Sequence, residues 1–101
     1  MKRCKLTKIV AGLSVVASIM GTTAFAEDTR IALVVKALGI GFFEAAAKGA
    51  EEAAAELGGV EIIYTGPTST TAEGQIEVIN SLIAQGVDAI AVSANDPDAL
   101  A

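Results

Sequence analysis

The stretch VVKALGIGFFEAAAKGAEEAA, residues 34–54, ends a β-branched run in a cation, Lys36, and opens an alanine-rich segment with two aromatics, Phe42 and Phe43. A lysine ammonium donates hydrogen bonds, and an aromatic face packs against apolar C–H groups. A sugar asks for both, because its hydroxyls need donors and one face of its ring is apolar. The plainer alternative makes Lys36 a solvated loop charge and both phenylalanines core residues. Phe43 fits a core position better than Phe42.

Other chemistries fit the same residues less well. Gly39-x-Gly41 after an apolar run is how a dinucleotide fingerprint starts, but Glu44 stands at its third glycine position and would repel a pyrophosphate. No carboxylate follows Tyr64 to hold a ribose, so a nucleotide site is set aside. Asp96 and Asp98 could pair as acid and base, yet Asn95-Asp96-Pro97 also reads as a turn and helix cap, since Asn and Asp bond nearby amides and proline fits a first helical turn. Asn95 and Asp96 are kept as candidate ligand contacts beside that reading. Nothing nucleophilic stands beside a base, and residues 27–101 contain neither histidine nor cysteine. Disulfides and thiolate or imidazole metal sites are therefore excluded there, and the commonest general base is missing. The expectation is a binding protein without catalytic residues, metal or cofactor.

The elements that must position these residues follow from apolar periodicity. Ile31–Val35 is a continuous apolar run, as in a strand buried on both faces of a parallel sheet. Phe43, Ala46, Ala47, Ala50, Ala53, Ala54 and Leu57 recur at helical spacing, with Glu44, Lys48, Glu51, Glu52 and Glu56 on the outer face. Glu44 and Lys48 have the i,i+4 spacing and polarity of a favourable pair. Gly58 and Gly59 end that helix. Val60–Tyr64 predicts a second strand and TGPTST a loop. Thr70 and Glu73 have capping-box spacing for a second helix, whose core face is predicted as Ile76, Ile79, Leu82 and Ile83, closed by Gly86. Ala89–Val92 predicts a third buried strand, and NDPDALA a further turn into a helix. The order β-α-β-α-β with short connections predicts an α/β fold, a parallel doubly wound sheet with right-handed crossovers. In such sheets ligands bind outside the carboxyl ends of the strands, where Lys36 stands.

The ends of the chain differ from its middle. Residues 1–8 carry four cations and no acid, an apolar run from Ile9 to about Met20 follows, and Ala24-Phe25-Ala26 supplies the small residues of a cleavage site. That is the plan of a secretory signal peptide over residues 1–26, cut between Ala26 and Glu27. The run is shorter than the roughly 20 residues a membrane span needs, so no membrane insertion is expected after cleavage. Cys4 lies upstream of the apolar run, where a lipoprotein cysteine would not be. Beyond the leader, Arg30, Lys36 and Lys48 face all 12 acids, a balance of 3 − 12 = −9. Such acidity argues against nucleic acid or an anionic membrane surface as partner. Three strands and two helices leave sheet edges exposed, so residues 27–101 are expected to be the first part of a larger α/β lobe.

Taken together, V-x-K-x-x-G-x-G-F-F, Y-x-G-P-T, G-Q-x-x-x-I-N, Q-G-x-D-A-I and S-A-x-x-P-D, spread over residues 30–100, resemble periplasmic sugar-binding proteins of bacterial ABC transporters. The resemblance is greatest to the rhamnose-binding group, whose sister group binds the furanosyl signal autoinducer-2. It implies two α/β lobes joined by hinge strands around one enclosed sugar, of which residues 27–101 would begin the first. It further implies delivery to a membrane permease and a periplasmic location. By the same resemblance Lys36 contacts the ligand and Phe42 and Phe43 line the sugar face. An asparagine that ribose-binding relatives carry just before the aromatics is replaced here by Ile40-Gly41, which removes that polar contact. Other pentoses or furanoses are alternative ligands. A sugar-responsive repressor shares the fold but would lack the leader, and a periplasmic enzyme would need catalytic residues beyond residue 101.

Overall fold

The computed structural model describes residues 27–101, so the leader predicted over residues 1–26 lies outside the described residues. The elements are β1 (Thr29–Val34), α1 (Gly41–Leu57), β2 (Val60–Thr65), α2 (Ala72–Ala84), β3 (Ala89–Val92) and the short α3 (Pro97–Leu100). The strands form one parallel sheet in the order β2-β1-β3. This is the expected α/β alternation, with the apolar run of β1 at the centre. Residues Ala32, Val34 and Val35 are fully or almost fully buried, as a strand flanked on both sides requires.

β1 to β2 and β2 to β3 move across the sheet in opposite directions, so right-handed connections place α1 and α2 on opposite faces. On the α2 face, Ala32, Val34 and Leu82 form the core, with Ile63, Val78, Ile79, Val87 and Ile90 packed against it. The alternate residues of the strands, among them Leu33 and its register partner Tyr64, turn to the other face. The Tyr64 hydroxyl is buried there without a hydrogen-bond partner among the described residues.

The helices depart from the predicted stripes in instructive ways. α1 buries Ala47 and Ala54, with Phe43 and Ala50 half-buried, whereas Ala46, Ala53 and Leu57 are exposed. A helix on one face of a three-stranded sheet presents a narrow line of contact, so only the i, i+4, i+7 row is covered. On α2, Ile83 is 63% exposed although it was expected in the core. The buried row is instead Gln75, Leu82 and, in part, Ile79. β3 lies at one edge of the three described strands, and Ala89, Ala91 and Val92 are exposed although a buried strand was expected.

The cap of α2 falls one residue later than its spacing suggested. Thr71, in extended conformation, accepts a hydrogen bond from the Gly74 amide at 3.1 Å, so the Thr70–Glu73 box does not form. At the opposite end of the sheet Arg30 gathers the amino ends of the strands. Its backbone amide donates to Asp88 Oδ2 (2.8 Å), and its guanidinium donates to the Gln85 carbonyl (3.2 Å) and pairs loosely with Glu61 (3.8 Å).

Candidate ligand-binding site

The strand order makes β1 the point from which the chain departs in both directions. In open α/β sheets the connections diverge at such a point and leave a crevice outside the carboxyl ends of the strands, here between β1 and β3. Two segments face each other there, residues 35–43 after β1 and residues 93–96 after β3.

On the β1 side, Val35 and Ala37 are buried and Lys36 between them is half-buried. The one ion pair among the described residues is Arg30–Glu61, so the Lys36 ammonium is not neutralised by a carboxylate. The chain then leaves the sheet, held by the Leu38 amide donating to the Pro67 carbonyl at 2.9 Å. Leu38 and Ile40 are exposed, and α1 opens at Gly41 with Ile40 as an N-cap that contributes no side-chain bond. Phe42 is 76% exposed and Phe43 is half-buried. Their rings meet edge to face, with centroids 5.3 Å apart and planes at 83°, the geometry favoured by the charge distribution of two π-systems. Phe43 therefore braces an exposed Phe42.

On the β3 side, Asp96 caps α3. Its Oδ1 accepts from the amides of Asp98 (3.0 Å) and Ala99 (3.1 Å), with Pro97 in the first helical turn, as the turn-and-cap reading anticipated. The half-buried Asn95 turns its side chain inward. Its Nδ2 donates to the carbonyls of Lys36 at 2.9 Å and Thr71 at 3.2 Å. Asn95 and Lys36 are thus brought together through the backbone of one and the side chain of the other, while Phe42 and Phe43 stand at the adjacent helix mouth.

The residue that organises this region was not among the predicted site residues. Gln75, on the first turns of α2, is completely buried. Its Nε2 donates to the carbonyls of Val35 (3.0 Å) and Ser93 (2.8 Å), and its Oε1 accepts from the Asn95 amide (2.7 Å). A signal was present in the sequence, since position 75 falls on the same helical row as Ile79 and Leu82, and a polar residue on a core stripe demands partners.

Two glycines let α2 and the β2–α2 loop approach closely enough for this. A Cβ on Gly66 would lie 2.9 Å from the Val35 carbonyl oxygen, and one on Gly74 would lie 2.8 Å from both Pro67 Cβ and Thr71 Oγ1. The motifs Y-x-G-P-T and G-Q are therefore packing devices around the carboxyl end of β1. A separate groove between α2 and β2, lined by Thr65, Glu77, Val78, Ser81, Leu82 and Gln85, shares no residue with this region. Among the described residues no cluster of His, Cys, Asp or Glu could hold a metal ion.

Comparison with known proteins agrees with this architecture. The family model for the periplasmic binding protein domain matches residues 31–101. A crystal structure of an ABC transporter solute-binding protein from Clostridium phytofermentas with bound L-rhamnose is similar at 39% identity and a TM-score of 0.66, over 75% of this chain and 23% of that one. An ABC transporter solute-binding protein from Burkholderia multivorans, with an unknown ligand fitted as α-D-erythrofuranose, is similar at 30% identity and a TM-score of 0.64, over 70% of this chain and 26% of that one. This chain thus spans about a quarter of the length of these solved relatives. With its parallel β2-β1-β3 sheet and a family match over residues 31–101, the chain belongs to the periplasmic binding protein domain family.

Proposed function

We propose that this chain contributes one wall of the sugar cleft in the solute-binding component of an ABC importer, and that the protein binds without catalysing. The observation that carries the reading is that a Lys36 with no carboxylate partner among the described residues and an exposed Phe42 both follow the carboxyl end of β1. The ammonium of the half-buried Lys36 offers a donor to a hydroxyl, and an exposed ring braced by Phe43 offers an apolar face. Asn95 and Asp96 border the crevice from the β3 side. A deoxyhexose such as L-rhamnose is the first candidate, because the 39%-identical solute-binding protein was crystallised with that sugar. A furanose, including an autoinducer-2-like ligand, is the second, favoured by the erythrofuranose fitted in the other relative.

The same reading includes export through cleavage of residues 1–26, work in the periplasm, a second α/β lobe closing over the sugar, and delivery to a membrane permease. Calorimetric titration of the full-length gene product with L-rhamnose, D-ribose and other pentoses tests the ligand class. Saturable binding of one of them without turnover supports a binder. Chemical conversion of the bound sugar would instead indicate an enzyme.

A further inference from the structure

We infer that Gln75 is a positioning residue for the candidate ligand site, holding the two walls of the crevice at a fixed separation. The inference rests on the sugar-binding reading above and adds a residue to it that does not itself face the crevice. The last ladder bond between β1 and β3 is the Ser93 amide donating to the Val34 carbonyl at 2.9 Å. Val35 turns instead to β2, where its amide donates to the Thr65 carbonyl at 3.0 Å. The next donor along β2 would be residue 67, a proline without an N–H. Ser93 lies past the last bond to β1, so the carbonyls of Val35 and Ser93 would both be left without sheet partners. Gln75 supplies both, at 3.0 and 2.8 Å, from one amide nitrogen. Its carbonyl takes the Asn95 amide at 2.7 Å, and Asn95 in turn holds the Lys36 carbonyl at 2.9 Å.

Both protons of the Gln75 amide are used, and so are both of the Asn95 amide, whose second goes to the Thr71 carbonyl. Each donor has a separate fixed acceptor, so the network has a single arrangement. It ties three backbone segments, 35–36, 71 and 93–95, through a side chain that is wholly excluded from water. Buried amides of this kind are costly to leave unmatched, which favours one conformation over its neighbours. An apolar residue at position 75 could fill the same volume and hold α2 on the sheet, but could not set the distance between Lys36 and the β3 side.

The test is calorimetric titration of the full-length gene product, using whichever of L-rhamnose and the pentoses the parent protein binds. Gln75→Met conserves volume and removes the three hydrogen bonds. Leu82→Ala serves as control, since it opens the core on the same helix without touching the network. Gln75→Met should weaken binding by about tenfold or more, the equivalent of about 1.4 kcal/mol, at a temperature where it is folded. Leu82→Ala should stay within about twofold of the parent despite a melting temperature lowered at least as far. Parental affinity in folded Gln75→Met overturns the inference. So does equal weakening in both variants, which would make Gln75 an ordinary core residue. Should Gln75→Met not fold, Asn95→Ala removes the tie to Lys36, and parental affinity in that variant overturns the inference equally. If the parent protein binds no sugar at all, the sugar-binding reading itself fails, a result distinct from each of these.

Discussion

The Asn95 side-chain amide, beyond β3, donates to the carbonyl of Lys36, beyond β1, across 2.9 Å. Residues 59 positions apart are therefore coupled where β1 and β3 diverge. The coupling fixes the backbone of Lys36 while leaving its ammonium unpaired by any carboxylate among the described residues. A donor held by its backbone, with no carboxylate at its tip among the described residues, suits recognition of a neutral hydroxylated ligand.

The two phenylalanines separate by burial. Phe42 is 76% exposed, so Phe42→Ala should change stability by less than about 0.5 kcal/mol, as for surface positions generally. It should nevertheless weaken sugar binding several-fold. Phe43→Ala removes a half-buried ring and should cost about 1 to 2 kcal/mol of stability. Thermal melts paired with titrations of both variants check this, and a Phe42→Ala protein with unchanged affinity would remove the ring from the site.

Gly74→Ala should destabilise, because the new Cβ would sit 2.8 Å from Pro67 Cβ and from the capping hydroxyl of Thr71. Over-packing of this kind costs about 1 to 3 kcal/mol. A denaturation midpoint equal to that of the parent would show that the β2–α2 loop yields at little cost.

Tyr64→Phe should be neutral or stabilising. Its hydroxyl is buried with no partner among the described residues, so removing it relieves a desolvation penalty of about 1 to 3 kcal/mol. A clear fall in melting temperature would reveal a hydrogen bond that this reading lacks.

Export is predicted to leave Glu27 as the first residue. N-terminal sequencing of periplasmic material checks it, and replacing Ala26 with a bulky residue should block processing. An intact Met1 on soluble periplasmic protein would contradict the cleavage.

The sequence disclosed the alternation of strands and helices because apolar runs and stripes are strong local signals. It also exposed the junction after β1, where Lys36 interrupts an apolar run. The departures have physical reasons. Thr71 rather than Thr70 caps α2 because the cap is set by how closely Gly74 meets Pro67, a tertiary contact. Ile83 and Leu57 lie outside the narrow line along which each helix meets three strands. β3 read as a buried strand from its composition, but burial of its outer edge depends on a neighbouring strand, and none is among the described residues. Gln75 was legible as a polar residue on an apolar row, but its role was not, because its three backbone partners are distant in sequence.

The most direct test of the account is calorimetric titration of Lys36→Ala against the parent full-length gene product, with L-rhamnose and a panel of pentoses. A micromolar complex corresponds to about −8 kcal/mol, and loss of one charged donor costs about 1.5 to 3 kcal/mol. The variant should therefore bind roughly ten- to a hundred-fold more weakly while melting within a degree or two of the parent. Binding of every candidate sugar as tightly as by the parent would make Lys36 a solvated loop charge and contradict the assignment of the cleft.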